Sequence, residues 1–154
     1  MKELIGLSVQ IRQAEPRDVK ALSGLFEELM GYESDTQAMQ RQLELISSEP
    51  HYYVAVAEWE QELVGTAMGI VCRDLVGNCA PFLLVENVVV SGKVRGKGVG
   101  KLLMQRLEQY GSEHRCSYVI LASSNIRTDA HQFYASIGYR GAKRGFVKDL
   151  VSQS

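Results

Sequence analysis

A short segment between two apolar stretches carries the residues of this chain best suited to chemistry. Residues 91–101 read Ser-Gly-Lys-Val-Arg-Gly-Lys-Gly-Val-Gly-Lys, and no acid occurs between positions 86 and 108. Glycine lets a backbone turn approach a bulky ligand closely, and the free N–H groups at the start of a following helix carry a partial positive charge. The segment predicts a phosphate cradle, although a solvated glycine-rich turn explains it about equally well.

Two familiar phosphate-binding patterns do not fit this segment. A Walker A loop requires Ser or Thr after its Gly-Lys pair, whereas Gly98 follows Gly96 and Lys97. A dinucleotide fingerprint requires a third glycine where Lys101 stands. The segment therefore indicates a different class of anionic ligand.

The string Arg95-x-x-Gly98-x-Gly100 resembles the [RQ]-x-x-G-x-[GA] signature of the GNAT superfamily of acyl-CoA N-acyltransferases. Residues 85–90, Val-Glu-Asn-Val-Val-Val, are similar to the central strand that in this family ends just before the pyrophosphate loop. The resemblance implies a GNAT fold and the use of acetyl-CoA as co-substrate.

A second motif extends the resemblance towards the end of the chain. Asn125 and the run 130–139, Ala-His-Gln-Phe-Tyr-Ala-Ser-Ile-Gly-Tyr, resemble the family pattern N…A-x-x-F-Y-x-x-x-G-[FY]. Asn125 lies five residues before Ala130, where many members have three. The residues of this motif are most similar to those of small-amine acetyltransferases. The resemblance covers essentially the whole chain.

The resemblance also implies which residues would meet acetyl-CoA. They are the backbone groups of Val88, Val89 and Val90, the loop residues Arg95, Gly96, Lys97, Gly98, Val99, Gly100 and Lys101, and Asn125 with Tyr134. In a GNAT-like fold the strand splays away from its neighbour at this point, which opens a slot for pantetheine.

Glu86 is the best candidate for a general base. Acetyl transfer requires a neutral amine, yet an alkyl ammonium has a pKa of about 10.4. Glu86 is the acid within the apolar stretch 82–90, next to the expected cradle. We expect burial there to raise its pKa and a water to relay the proton. A structural carboxylate that caps a backbone group is the alternative.

Tyr134 is the best candidate for a general acid that protonates the departing thiolate. It shares a helical stripe with Ala130 and Ile137, so that core packing is the alternative interpretation. The family resemblance favours the catalytic interpretation.

The remaining polar residues give weaker indications. Acids and an aromatic residue near the end of the first predicted helix could line a pocket for a cationic amine, or form a solvated helix end: Glu27, Glu28, Tyr32, Glu33 and Asp35. His131 could touch the cofactor, but a surface or half-buried position on a helix is the favoured interpretation. The other histidines and the cysteines, His51, His114, Cys72, Cys79 and Cys116, lack metal-ligand spacing, so we expect no metal.

Alternating strand-like and helical patterns must position these residues. Pattern and resemblance together predict an α/β fold with a mixed central sheet flanked by helices, in the order β1-α1-α2-β2-β3-β4-α3-β5-α4-β6-β7. The first helix should end near Met30, a hairpin should turn at 59–62, and 82–90 should be a buried central strand. The final two strands are expected at Tyr139 and at 146–150, within a single domain over 1–154.

Composition narrows the functional classes. The chain has 154 residues and a net charge of -1, with 45% hydrophobic residues, which argues against a general nucleic-acid or membrane-surface binder. The first residues lack the apolar stretch of a signal peptide, and the three cysteines suit a reducing compartment. We therefore expect a cytoplasmic protein with no nucleic-acid or membrane partner.

These observations predict an enzyme that transfers an acetyl group from acetyl-CoA to the primary amine of a small molecule. Two alternatives remain at this point: an acetyltransferase for protein lysines or N-termini, and a non-catalytic sensor that binds acyl-CoA. Dimerisation is common in the family, often through terminal strands, and the sequence leaves a homodimer open.

Overall fold

The computed structural model describes residues 8–125 and 127–151. The chain divides into two compact units, of which the first ends at Leu121 and the second begins at Ala122. The single domain predicted over 1–154 stays a prediction.

A five-stranded mixed sheet forms the first unit, in the spatial order β1-β2-β3-β4-β5. The strands are Gln10–Gln13, Tyr52–Trp59, Glu62–Cys72, Phe82–Val90 and Val119–Leu121. The first three neighbouring pairs are antiparallel, and β4 pairs with β5 in parallel. The sheet is thus mixed, as predicted, and β4 is an interior strand between β3 and the edge strand β5.

Helices α1 (Val19–Met30) and α2 (Thr36–Ser48) follow β1 and a 3-10 turn at Pro16–Asp18. Helix α1 ends at Gly31, whose φ of 82° lies in the left-handed region that glycine adopts without strain. The first helix therefore ends where the sequence predicted.

Helix α3 (Val99–Glu113) packs on the sheet through Leu103, Met104 and Leu107, all fully buried. Two glycines of β3 allow this close approach. A Cβ at Gly65 would lie 3.0 Å from Leu103 Cδ1 and 3.3 Å from Val99 Cγ1, and one at Gly69 would lie 3.2 Å from Leu107 Cδ2. A larger residue at either position would crowd the α3 side chains, which would have to shift.

A second core cluster involves α1 and α2. Its buried members are Ala14, Val19, Leu22, Leu43, Val54 and Val56. Beside it, the nearly buried carboxylate of Asp18 accepts two hydrogen bonds from Arg12, at 2.7 and 2.8 Å. Arg12 also donates to Glu58 at 3.0 Å, so that the start of α1 is tied to β1 and β2.

The turn between β2 and β3 is a tight hairpin, as predicted. Glu60 and Gln61 have φ values of 50° and 66°, and two positive φ values in a two-residue loop are typical of a type I′ turn.

The second unit contains helix α4 (Thr128–Ser136). Residues 137–151 form no strand, which corrects the prediction of β6 and β7. Phe146 and Leu150 are 89% and 92% exposed. The apolar residues here come in adjacent pairs, Phe146-Val147 and Leu150-Val151, whereas a half-buried strand requires alternation. Across the described ranges, no helix has the length and apolar character needed to cross a bilayer.

Candidate active site

The two edges of β4 are paired over different lengths. On the β3 side the register extends from Phe82, opposite Cys72, to Val90, opposite Gly65. On the β5 side it covers only Leu83–Val85. Within the described residues, 86–90 therefore have no strand partner on the β5 side. This is the splayed edge that the family resemblance implied.

A β-bulge lies at the point where the two edges begin to differ. Glu86 pairs with Met68 and Val89 with Thr66, so that β4 carries one residue more than β3 between these pairs. Asn87 has a φ of 57°, in the left-handed region. A bulge leaves the extra residue outside the regular ladder and bends its strand, which frees backbone groups at this position.

Glu86 stands directly before the bulge. It is exposed, as is Asn87, which corrects the prediction of a buried carboxylate. The reason is the alternation of the strand, which places Glu86 on the face opposite the buried Val85. Solvent reaches the Glu86 carboxylate, so a water-relayed proton transfer needs no further opening.

The glycine segment forms a turn that leads directly into α3. Gly96 and Gly98 have φ values of 76° and 89°, which favour glycine. Gly98 is the residue that precedes the helix and offers no side chain to cap it. Val94 and Val99 anchor the turn, with 2% and 1% exposure. The first N–H groups of α3 are therefore available to an anion.

The basic residues of this segment fall into two classes. Lys93 pairs with Glu62 at 3.8 Å, and Arg95 pairs with Glu28 at 3.3 Å. Lys97 and Lys101 form no ion pair in the part of the chain that the structure describes. The positive charge left to attract a phosphate lies at the helix start rather than at Arg95.

The first unit thus brings together Glu86, the open backbone of Val88–Val90, and the turn that precedes Val99. The two remaining predicted site residues, Asn125 and Tyr134, belong to the second unit. Asn125 is exposed and lies in a turn before α4.

Tyr134 is half-buried on α4. Its ring lies edge-on to Phe133 and Tyr139, with centroids 5.1 and 5.9 Å away. Burial raises the pKa of its hydroxyl above the usual value of 10, against the smaller opposite effect of the Arg127 charge. The hydroxyl is therefore protonated at neutral pH, as a general acid must be. On the same helix His131 contacts the Ser124 carbonyl through Nε2 at 2.8 Å.

Two residues with a structural bearing on the site were not identified from the sequence. Glu28 was considered only for the acceptor pocket, whereas its carboxylate contacts Gly92 and Arg95. Asn87 was noted only beside Glu86. Two consecutive polar residues in an otherwise apolar strand break the two-residue alternation, and this signal could have predicted the bulge.

Comparison with known proteins identifies the family of this chain. The model of a family described as "Acetyltransferase (GNAT) family" matches residues 19–139. A probable glucosamine 6-phosphate N-acetyltransferase of Drosophila melanogaster is 32% identical over 90 residues, which cover 57% of this chain and 40% of that protein. Glucosamine 6-phosphate N-acetyltransferase 1 of Oryza sativa subsp. japonica is 27% identical over 137 residues, which cover 88% of this chain and 72% of that protein. Thus the chain spans less than half of the length of the fly relative.

The fold also matches a solved structure. A putative acetyltransferase from Agrobacterium tumefaciens superposes with a TM-score of 0.84 at 26% sequence identity, covering 91% of this chain and 99% of that one. The similarity extends over nearly all of both chains.

Proposed function

Because the chain belongs to the acetyltransferase (GNAT) family, we propose that it transfers the acetyl group of acetyl-CoA to the primary amine of a small molecule. One observation supports this most strongly: the pairing of β4 with β5 ends at Val85, next to the bulge and the glycine turn. An extended chain such as pantetheine can hydrogen-bond to an open strand edge. The phosphates would then lie at the start of α3.

The proposed reaction is a direct attack. Glu86, through a water, removes a proton from the ammonium, and the neutral nitrogen forms a bond to the thioester carbonyl carbon. Backbone N–H groups of Val88–Val90 would stabilise the oxyanion. The carbon–sulfur bond then breaks, and the Tyr134 hydroxyl donates its proton to the CoA thiolate. After the attack the nitrogen still carries two hydrogens, and it loses one of them to water as the amide forms. Solvent returns a proton to the phenolate and takes one from Glu86, so that one amide, one free thiol and one net proton result.

The names of the fly and rice relatives suggest amino sugars as the first acceptors to test. We propose a small-molecule amine rather than a protein lysine or N-terminus. Acetylation of peptides in preference to small amines would contradict this choice.

The test has two steps. Calorimetry and thermal unfolding with acetyl-CoA come first, since a ligand at 100 times its Kd stabilises a protein by about 2.7 kcal/mol. Release of free CoA is then measured with amino sugars, aminoglycosides, polyamines, amino acids and peptides. Absence of any acetyl-CoA binding at millimolar concentration would overturn the proposal, whereas binding without turnover on every amine would favour a sensor.

We also propose that the protein acts as a cytoplasmic homodimer without a metal ion. The exposed apolar pairs Phe146-Val147 and Leu150-Val151 support self-association, because exposed apolar patches mark interaction sites. Three unpaired cysteines suit a reducing compartment. Sedimentation of the wild type, compared with F146D, tests the dimer: a monomeric wild type would contradict it.

A further inference from the structure

Glu28, in the last turn of α1, contacts the segment that follows β4. Its Oε1 atom accepts a hydrogen bond from the Gly92 backbone N–H at 2.8 Å and one from Arg95 Nη2 at 3.3 Å. Arg95 Nε donates to the Val90 carbonyl at 3.2 Å. One carboxylate thus connects α1 to residues that lie 64 and 67 positions later in the chain.

The Glu28 contacts lie within a series of backbone hydrogen bonds that shape the turn. The Ser91 N–H donates to the Val64 carbonyl of β3 at 2.8 Å, and the Val94 N–H donates to the Ser91 carbonyl at 3.0 Å. The Lys97 N–H donates in turn to the Val94 carbonyl at 3.2 Å. The Gly92 N–H, which lies between these bonded residues, donates to Glu28 Oε1. A glycine suits this position because a Cβ built at Gly92 would lie only 3.1 Å from Glu28 Oε1.

Arg95 is consequently held on the side of the segment that faces α1. Its Nε and Nη2 atoms are both engaged, by Val90 and Glu28. An arginine in this arrangement stabilises the backbone of residues 90–95 instead of supplying a free charge to a phosphate.

We propose that Glu28 is a positioning residue for acetyl-CoA binding, acting through Gly92 and Arg95. It holds residues 91–95 so that the turn at Gly96–Gly98 and the start of α3 keep the geometry that receives the phosphates. The inference rests on the proposed function, and it moves Arg95 from the phosphate ligands to the residues that shape the turn.

The direction in which CoA affinity changes when the Glu28 charge is removed distinguishes a positioning role from simple repulsion between Glu28 and the phosphates. A carboxylate near an anion site repels the ligand, so that its removal should tighten binding if Coulomb interaction dominates. A carboxylate that holds the binding loop in place should have the opposite effect, since its removal leaves a loop that must be ordered at the cost of binding energy.

The experiment measures the Kd for CoA by calorimetry, together with the KM for acetyl-CoA, the KM for the amine and kcat. For Glu28→Ala we expect a Kd about tenfold higher, the size expected when hydrogen bonds to a charged group are lost. Saturating acetyl-CoA should restore kcat, and the KM for the amine should not change. Glu28→Gln should recover part of the affinity, because its amide oxygen still accepts the Gly92 hydrogen bond.

Two further variants separate geometry from charge. Gly92→Ala keeps every charge but displaces the Glu28 carboxylate, and it should raise the Kd in the same direction as Glu28→Ala. Glu62→Ala is the matched control, since it removes a carboxylate that contacts the same segment only through an exposed pair with Lys93 at 3.8 Å. Its Kd should be unchanged or slightly lower.

Three results would overturn the proposal: tighter CoA binding by Glu28→Ala, equal shifts for Glu28→Ala and Glu62→Ala, or unchanged binding in both Glu28→Ala and Gly92→Ala. A wild-type protein that binds no CoA would instead refute the proposed function, and this inference with it. The cases are distinguishable because the first three all require wild-type binding.

Discussion

The two halves of β4 differ in pairing and in burial. Residues 82–85 are paired on both sides, with Leu83 and Val85 at 0% and 1% exposure. Among the described residues, 86–90 pair with a strand on the β3 side alone, and a bulge at Asn87 follows the exposed Glu86. One continuous strand therefore contains a packed half and, on the function proposed above, a reactive half.

The difference shows how a rigid sheet can present an open backbone. Backbone groups must be satisfied by a partner, by water or by a ligand, and the packed half meets this requirement within the protein. In the reactive half, the backbone groups on the β5 side hydrogen-bond to water and, on our proposal, to pantetheine. The packed half holds the reactive half in place, so that substitutions in the two halves should have separable effects.

The largest expected effect lies in the reactive half. Glu86→Gln should lower kcat by about 10²-fold or more, because it removes a general base, while the melting temperature stays unchanged since Glu86 is exposed. Turnover measured across pH, together with thermal unfolding, checks this. A wild-type rate in the variant would remove Glu86 from the mechanism.

Tyr134 and Tyr110 offer the same contrast between a catalytic and a structural role outside β4. Tyr134→Phe should lower kcat by about 10²-fold if its hydroxyl is the general acid. Tyr110→Phe is the matched control: burial raises the pKa of Tyr110 to about 12, and its hydroxyl donates to the Pro50 carbonyl at 2.6 Å. This variant should lose stability and keep kcat. Full activity of Tyr134→Phe would assign Tyr134 to packing.

In the packed half, Leu83→Ala should lower the free energy of unfolding by about 3 kcal/mol, because it leaves a cavity between β4 and α3. Its kcat should stay close to that of the wild type. Denaturant unfolding measures the loss, and Leu75→Ala, at a side chain that is 90% exposed, serves as the control. A large loss of kcat in folded Leu83→Ala would show that the two halves are not separable.

The ion pair between Arg12 and Asp18 should contribute to stability in a region of the chain outside β4. Burial alone would raise the pKa of Asp18, but hydrogen bonds from Arg12 and from the Glu15 N–H outweigh it and lower the pKa below 3.8. A lowered folded-state pKa stabilises the protein above the unfolded pKa, and this contribution is lost as pH falls through the folded-state value. Asp18→Asn should cost about 2 kcal/mol at pH 7.

The pH dependence of unfolding checks the sign of this effect. The difference in unfolding free energy between wild type and Asp18→Asn should narrow as the pH falls below 3.8. A difference that stays constant or widens over this range would contradict the assignment.

The smallest effect concerns the bulge itself. Asn87→Val should cost about 1–2 kcal/mol, since a β-branched residue is strained at a positive φ, and it should also raise the KM for acetyl-CoA. Asn87→Gly removes the strain and should be close to wild type in both measurements. Equal stability of the two variants would mean that the backbone here adopts another conformation.

Features set by local chemistry were predicted well from the sequence. Gly31 ends α1 because a single residue can adopt the left-handed conformation, and the hairpin at 59–62 requires only a two-residue turn between apolar runs. The order of elements and the glycine turn also followed from local patterns and from the family resemblance. These features depend on residues that are close together in the chain.

Features that depend on distant partners were predicted poorly. Burial of Glu86 was expected from its apolar neighbours along the chain, but its exposure depends on whether a distant element covers its face of the strand, and there it is exposed. Glu28 and Gly92 lie 64 positions apart, and nothing near either of them indicates their contact. At 146–150 the local pattern and the family resemblance indicated a strand, although a strand forms only where a partner pairs with it.

The missing side chain at Gly65 has a consequence for how this protein could be tuned. A methyl group there would meet Leu103 Cδ1, the Val89 carbonyl and Val99 Cγ1 at 3.0 to 3.3 Å, and Val99 is the first residue of α3. The absence of a side chain at Gly65 therefore lets α3, and with it the N–H donors at its start, lie close to the sheet. A substitution at Gly65 would thus change ligand affinity by moving the start of α3, although Gly65 itself would not contact the ligand.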